Sequence, residues 1–294
     1  FSEQSSRSGI AQATMPFVSW GTRFLDYDND GWKDIFVATA RDYFFYVRNV
    51  LSNFSVGEKN IIVEPVSRNT AACVLYAVLK LVRREKAADD DIILLSPSDT
   101  HIREGRKFAD MVKAAVPFAR KGHIVAFGAE PLTPDTEYGY IRKGSSERSK
   151  NGRNADVFHV KSFVEKPDEA RAKKLLDSGE WYWNTGILLF SVKTMLGAYR
   201  KLEPKMFSVL NNADFDDAGS LAKAMTSVPA ISIDRAIMEK CPKCLVMPAS
   251  FRLLDVGDWN IFHTMCDKDK DGNVVIGDVV QSDTTGTLIV SEKN

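Results

Sequence analysis

Two short blocks carry the clearest chemistry in this chain. Phe163-Val-Glu-Lys-Pro167 sets a carboxylate beside an ammonium at the end of a β-rich run. Trp181-Tyr-Trp-Asn-Thr-Gly186 follows and runs into the apolar segment Ile187-Leu-Leu-Phe190. Carboxylates and amides bond sugar hydroxyls, aromatic faces cover a ring, and lysine meets phosphate. The spacing points to a polyhydroxyl ligand that also carries an anion. The competing reading is a surface ion pair beside a core tryptophan.

Four further blocks follow strand-like runs. Val63-Glu-Pro-Val-Ser-Arg-Asn-Thr70 ends at a helix start, where acceptor groups or an anion are favoured. Ser96-Pro-Ser-Asp99 presents a lone acid suited to a divalent cation. In Thr133-Pro-Asp-Thr-Glu-Tyr-Gly-Tyr-Ile141, Gly139 permits close backbone approach to a ligand. Leu253-Leu-Asp255-Val-Gly-Asp-Trp259 is a strand end opening into a helix. Asp99 and Asp255 together suit Mg2+ bridging phosphates, which takes one or two carboxylates and keeps waters and phosphates for the rest.

The elements that must position these blocks alternate. Strands are expected at 35–39, 61–63, 92–95, 123–127, 157–164 and 185–190, with helices at 42–52, 69–84, 104–120 and 168–177 and several more over 192–240. The helix from Asn69 repeats apolar residues at Val74, Leu75, Val78, Leu79 and Val82. The pattern predicts an α/β fold with a Rossmann-like, mostly parallel sheet, whose ligands sit at the carboxyl ends of strands. Residues 131–156 read as a polar, loop-rich stretch, and 272–280 with 287–290 as the strands of a short β-hairpin tail. The division expected is an atypical segment 1–37, a catalytic-type domain 38–266 and the start of a truncated β-structured region 267–294.

Composition narrows the partners. The 294 residues are 44% apolar, and Lys+Arg and Asp+Glu both number 39, so the net charge is zero. Nucleic acid or an anionic membrane would favour a basic excess, so neither is expected as a partner. No apolar run reaches the roughly 18 residues of a membrane span. The N-terminus lacks a signal-peptide layout and an initiator Met, so the chain reads as cytoplasmic and as a fragment or processed protein. Cys241-Pro-Lys-Cys244 with His263 and Cys266 has zinc-like spacing, but reduced thiols are the preferred reading.

Asp26-Tyr-Asp-Asn-Asp-Gly-Trp-Lys-Asp34 stands apart. Asp26, Asp28, Asp30 and Asp34 around Gly31 have the hard-oxygen phasing of a Ca2+ loop. The stretch resembles the calcium loops of FG-GAP-type β-propeller repeats, with a solvated acidic turn as the alternative. Asp267-Lys-Asp-Lys-Asp-Gly272 has the same phase and is read as a turn.

Taken together, EPVSRNTAA at 64–72, PSD at 97–99, PLTPDTEYGYI at 131–141, FVEKP at 163–167, WYWNTGILLF at 181–190, SIDRAIMEK at 232–240 and DVGDWN at 255–260 resemble the mannose-1-phosphate guanylyltransferases. The resemblance implies a nucleotidyltransferase fold and transfer from GTP to mannose 1-phosphate, giving GDP-mannose and pyrophosphate. It implies Asp99 and Asp255 as Mg2+ ligands, with Lys166 on the sugar phosphate. Glu165, Asn184 and Gly139 would contact mannose, with Tyr140 and Thr185 beside them. Glu64, Arg68, Asn69 and Thr70 would lie near guanine and ribose. A homodimer is the candidate assembly.

The start departs from the family pattern. A strand and a loop of the type GGxGTRLWPLSR are expected to wrap the triphosphate; here only Gly21-Thr-Arg23 echoes it, and Thr100 stands where a histidine is usual. Two other readings stay open: an impaired fusion or fragment that keeps sugar-phosphate binding, and a calcium-binding interaction protein.

Overall fold

The structure, a computed structural model, describes residues 22–25, 34–54, 56–102, 104–147, 156–251, 253–255 and 259–291. The calcium-loop positions Asp26, Asp28 and Asp30 lie outside the described residues, and Asp34 enters only as strand backbone.

In chain order the elements are β1 (Thr22–Leu25), β2 (Asp34–Ala40), α1 (Phe44–Ser52), β3 (Ile61–Glu64), α2 (Asn69–Arg84), β4 (Ile92–Ser96), β5 (Thr100–Ile102) and α3 (Gly105–Arg120). Then come β6 (Ile124–Ala129), β7 (Tyr140–Ser146), β8 (Phe158–Val164), α4 (Glu169–Asp177) and β9 (Trp181–Ser191). The rest are α5 (Val192–Leu202), α6 (Pro204–Asn212), α7 (Ala218–Ser227), β10 (Cys244–Pro248), β11 (Leu253–Asp255), α8 (Trp259–Met265), β12 (Val274–Ile276) and β13 (Leu288–Val290). β2 runs across the boundary expected after residue 37.

Nine strands form one sheet in the order β3-β2-β1-β4-β9-β6-β10-β8-β7. The expectation of a mostly parallel sheet needs correction. Among its described pairs only β2–β3 and β6–β10 are parallel. The reason is β9, which runs antiparallel between β4 and β6. The continuous apolar runs of β4 and β6 reflect burial on both faces, which does not by itself fix strand direction. β9 also pairs with β7, so β9, β6, β10, β8 and β7 close a ring.

β9 does this by breaking its own regularity. Val125 and Ala126 pair with Leu189 and Leu188, but Gly128 and Ala129 pair with Asn184 and Trp183. Thr185, Gly186 and Ile187 therefore bulge opposite Phe127. Thr185 Oγ1 donates to the Phe127 carbonyl at 2.6 Å and accepts from Ile187 N–H at 3.2 Å, satisfying groups the bulge takes out of the ladder. Gly186 takes φ +72°, and a Cβ there would stand 2.7 Å from Pro97 Cγ.

Helices pack on both faces. α2 buries Leu75, Val78, Leu79 and Leu81 almost completely, each contributing about 1.5–3 kcal/mol. This one cluster also takes in Phe190, Met195, Tyr199 and Ile237. On the other face, Phe118 of α3 packs with Phe127, Ile187 and Leu189. Two expectations about loops change. Residues 131–156 contain β7, whose Tyr140 and Ile141 are fully buried. The tail is no hairpin: β12 and β13 pair in parallel. The connection returns the chain to the start of β12, held where Asn273 donates to the Thr284 carbonyl and accepts from Thr287 N–H. Among the described residues no helix is long and apolar enough to cross a membrane.

Gly186→Ala should destabilise the fold, because it adds a clash at a left-handed position. The expected cost is about 2–3 kcal/mol, a Tm fall of roughly 4–10 °C in a thermal melt. An unchanged Tm would show that the bulge does not need glycine.

Candidate functional site

A cleft of about 870 Å3 opens at the strand ends beside the β9 bulge. Its lining brings together Asp99, Gly139, Glu165, Asn184 and Thr185, five of the residues singled out from sequence. β9 supplies Asn184 and Thr185, Glu165 follows β8, and Asp99 sits between β4 and β5. The bulge turns the 183–186 segment off the regular ladder and aims it at this space.

Asn184 is held on three sides. Its backbone N–H donates to the Gly139 carbonyl at 2.7 Å. Its Nδ2 donates to Asp234 Oδ1 at 2.9 Å, and its Oδ1 accepts from Gly186 N–H at 3.2 Å. Gly139 is crowded in turn: a Cβ there would meet Glu165 Oε2 at 3.0 Å and the Phe163 ring at 3.1 Å. Any side chain at 139 would push into the carboxylate that faces the cleft.

An aromatic wall stands beside these groups. Tyr138 and Trp183 stack with centroids 4.9 Å apart and planes 20° apart. Trp183 Nε1 is buried with no hydrogen-bond partner among the described residues. Lys166 follows Glu165 and pairs with another lining residue, its Nζ 3.2 Å from Glu137 Oε2. Its φ of +40° is unusual for a side chain preceding proline, and such strain gathers at functional sites.

The acids of the cleft are poised away from their ordinary range. Burial pushes Asp99 up. Burial also raises Glu165, which Lys166 and Arg235 pull back down. Asp234 is raised to about 7, first by burial and then by the charge of Glu165. The second acid expected to hold a cation, Asp255, is placed by backbone register. β11 pairs with β5, setting Asp255 opposite Thr100, the neighbour of Asp99. A carboxylate just before β5 and another on the paired strand β11 are the residue types that suit a divalent cation.

Other expected residues do different work. Tyr140 does not line the cleft; fully buried, it donates through its hydroxyl to the Asp135 carbonyl at 2.8 Å and braces the 131–139 loop. Thr185 borders the cleft, but its hydroxyl is committed to the bulge. Arg68 donates from Nε and a guanidinium nitrogen to the Val228 carbonyl at 3.0 and 2.7 Å. Thr70 Oγ1 accepts from Ile233 N–H at 2.8 Å. Asn69, at φ +64°, accepts from Thr70 N–H through its own side chain. The 68–70 segment thereby anchors the chain leading to Asp234. Among the described residues, no group of three or more His, Cys, Asp or Glu could hold a metal, and His263 instead contacts the Gly272 carbonyl at 3.1 Å.

Asp234 is the site residue that sequence reasoning left without a role. It lies inside the block 232–240, and an acid directly after apolar Ile233 was its signal. The Tyr138–Trp183 stack was not legible, because the two rings meet across 45 residues of chain only through the β7–β9 pairing, where Tyr140 lies opposite Trp183.

Comparison with known proteins places this geometry in context. The Nucleotidyl transferase family model matches residues 23–272. Mannose-1-phosphate guanylyltransferase 2 of Escherichia coli O157:H7 is 34% identical over 263 residues, covering 87% of this chain and 54% of that protein. Alginate biosynthesis protein AlgA of Pseudomonas aeruginosa is 34% identical over 266 residues, covering 88% and 54%. The crystal structure of mannose-1-phosphate geranyltransferase from Thermus thermophilus matches with TM-score 0.65 at 27% identity, covering 85% of this chain and 74% of that one. The chain spans about half the length of the curated relatives it matches.

Glu64 gives a pH test outside the cleft. Burial lifts its carboxyl from 4.5 to about 7, against a hydrogen bond with the Cys73 thiol. Its Oε1 is buried without a partner among the described residues. The folded state holds this proton more tightly than the unfolded chain does. The contribution to stability is therefore complete below pH 4.5 and is lost as pH rises through about 7. Glu64→Gln should be near neutral at about pH 5 and stabilising by up to about 3 kcal/mol at about pH 8 in denaturant melts. The same effect at both pH values would contradict this.

Proposed function

This chain belongs to the nucleotidyl transferase family, and from that premise we propose that it transfers a guanylyl group from GTP to mannose 1-phosphate. The products are GDP-mannose and pyrophosphate. What supports the choice is one cluster: Glu165, Asn184 and Asp234 beside the stacked Tyr138 and Trp183, with Lys166 paired to the lining residue Glu137. Acceptors, an amide and an aromatic face suit a hexose, and the Lys166 ammonium suits its phosphate. The names of the relatives supply guanine and mannose.

In this reading an oxygen of the sugar phosphate attacks the α-phosphorus of GTP. A new P–O bond forms, the α–β P–O bond breaks, and its electron pair leaves on pyrophosphate. The nucleophile is already an anion, so the chain need not supply a general base. Its task is alignment. Glu165 and Asn184 hold the sugar hydroxyls. Gly139, having no side chain, lets the ring approach the β7 backbone. Lys166 exchanges Glu137 for the phosphate and turns it toward the nucleotide. Glu64, Arg68, Asn69 and Thr70 are assigned to the nucleotide side by resemblance, with Arg68 and Thr70 acting through the 228–233 segment they anchor.

Asp99 and Asp255 would hold Mg2+, since both offer carboxylates and the β5–β11 register sets Asp255 opposite Thr100, the residue after Asp99. When bound, the ion supplies charge neutralisation on the triphosphate and the departing pyrophosphate. A cytoplasmic location accords with the reduced thiols Cys73, Cys241, Cys244 and Cys266.

Pyrophosphate release from GTP, mannose 1-phosphate and Mg2+ tests the reaction. The wild-type chain should turn over, and Asp99→Asn should lower kcat by about two orders of magnitude or more. A wild-type chain that releases no pyrophosphate contradicts the reading. A second assay isolates the lysine: Lys166→Ala should raise KM for mannose 1-phosphate about tenfold while KM for GTP stays within about twofold. Equal rises in both would place Lys166 elsewhere.

A further inference from the structure

We propose that Asp234 is a sugar-binding residue of this cleft, fixing the amide of Asn184 and meeting sugar hydroxyls together with Glu165. The inference rests on the sugar-phosphate reading above and assigns a role to a residue that reading leaves without one.

The geometry carries it. Asp234 is one of the residues that line the cleft. It opens a single π turn, Asp234–Met238, a widening of the helix that is frequent at functional sites. Asp234 Oδ1 accepts from Asn184 Nδ2, while Asn184 Oδ1 accepts from Gly186 N–H. Flipping the amide would lose both bonds, so the nitrogen is fixed toward Asp234. One Nδ2 hydrogen is left for a ligand. The turn is itself anchored: Thr70 Oγ1 receives Ile233 N–H, and the Ile231 carbonyl receives Ala71 N–H at 3.2 Å.

Charged groups converge on the carboxyl from three places. Glu165 faces it from the end of β8 and Glu239 from the far end of its own turn, both raising it, while Asn184 on β9 stabilises the ionised form. Burial raises Glu165 as well, and Lys166 and Arg235 offset part of that rise. Asp234, lifted to about 7, titrates near neutrality. Sugar hydroxyls donate most strongly to an ionised acceptor. Binding near pH 7 should thus expel the Asp234 proton to solvent.

Isothermal titration with mannose 1-phosphate, in two buffers of different ionisation enthalpy near pH 7, tests this on the full chain. Wild type should release a fraction of a proton per sugar phosphate bound. Asp234→Asn keeps the shape and the contact with Asn184 but cannot ionise. It should bind about tenfold more weakly, the loss expected for one hydrogen bond to a charged group, and its proton release should vanish. Affinity for GTP, titrated separately, should stay within about twofold, which general damage to the fold would not allow. Wild-type affinity in Asp234→Asn, an unchanged proton release, or no binding of mannose 1-phosphate by wild type each overturns the proposal. No turnover is read, so a protein that binds the sugar phosphate without forming GDP-mannose refutes the reaction and leaves this inference standing.

Discussion

The bond from Thr185 Oγ1 to the Phe127 carbonyl is the point on which the site depends. It satisfies the backbone that β9 withdraws from its ladder, and so it stabilises a bulge inside a buried sheet. Without the bulge, β9 would run as a regular strand and Asn184 would keep the register of the core. With it, one half of β9 fills the gap between β4 and β6 and the other half turns to meet β7. The ring of strands closes, and the turn presents Trp183 and Asn184 to the cleft. Gly186 contributes the left-handed backbone, and Pro97 packs where a side chain would have been. Shape and chemistry are thus one feature.

A second constraint is electrostatic. The cleft gathers Asp99, Glu165 and Asp234, with Asp255 alongside by register. Burying several acids together costs free energy through lost hydration and mutual repulsion. Lys166 and Arg235 offset part of that cost at Glu165. The remainder stays as raised proton affinity, most visible at Asp234. Such a cluster is a poor way to stabilise a fold. It becomes useful when hydroxyls, phosphates or a cation complete it.

Much of this was legible from residue order. α2 follows the period of Val74, Leu75, Val78 and Leu79, and the blocks around Glu165 and Asn184 mark one wall of the cleft. Strand direction was not legible, because apolar continuity in Ile92–Leu95 reports burial and is silent on which neighbour it has. The burial of Tyr140 was not legible, because alternation inside a polar stretch hid the strand that turns its side chain into the core. The tail misled for a related reason: Asp-Gly and Gly-Asn steps are ordinary hairpin chemistry, yet Asn273 here folds the loop back into a parallel pair. Asp234 needed the third dimension. Its partner Asn184 lies 50 residues away, and only the docking of the 68–71 segment brings its turn to the cleft.

If one bulged strand and two flanking acids form a mannose-phosphate site, a crystal structure of the chain with GDP-mannose will show it. The account predicts the mannosyl ring against Tyr138 and Trp183, its hydroxyls on Glu165, Asn184 and Asp234, and its phosphate toward Lys166. Density for the sugar outside this cleft, or inside it with none of those three residues in hydrogen-bond contact, would contradict the account.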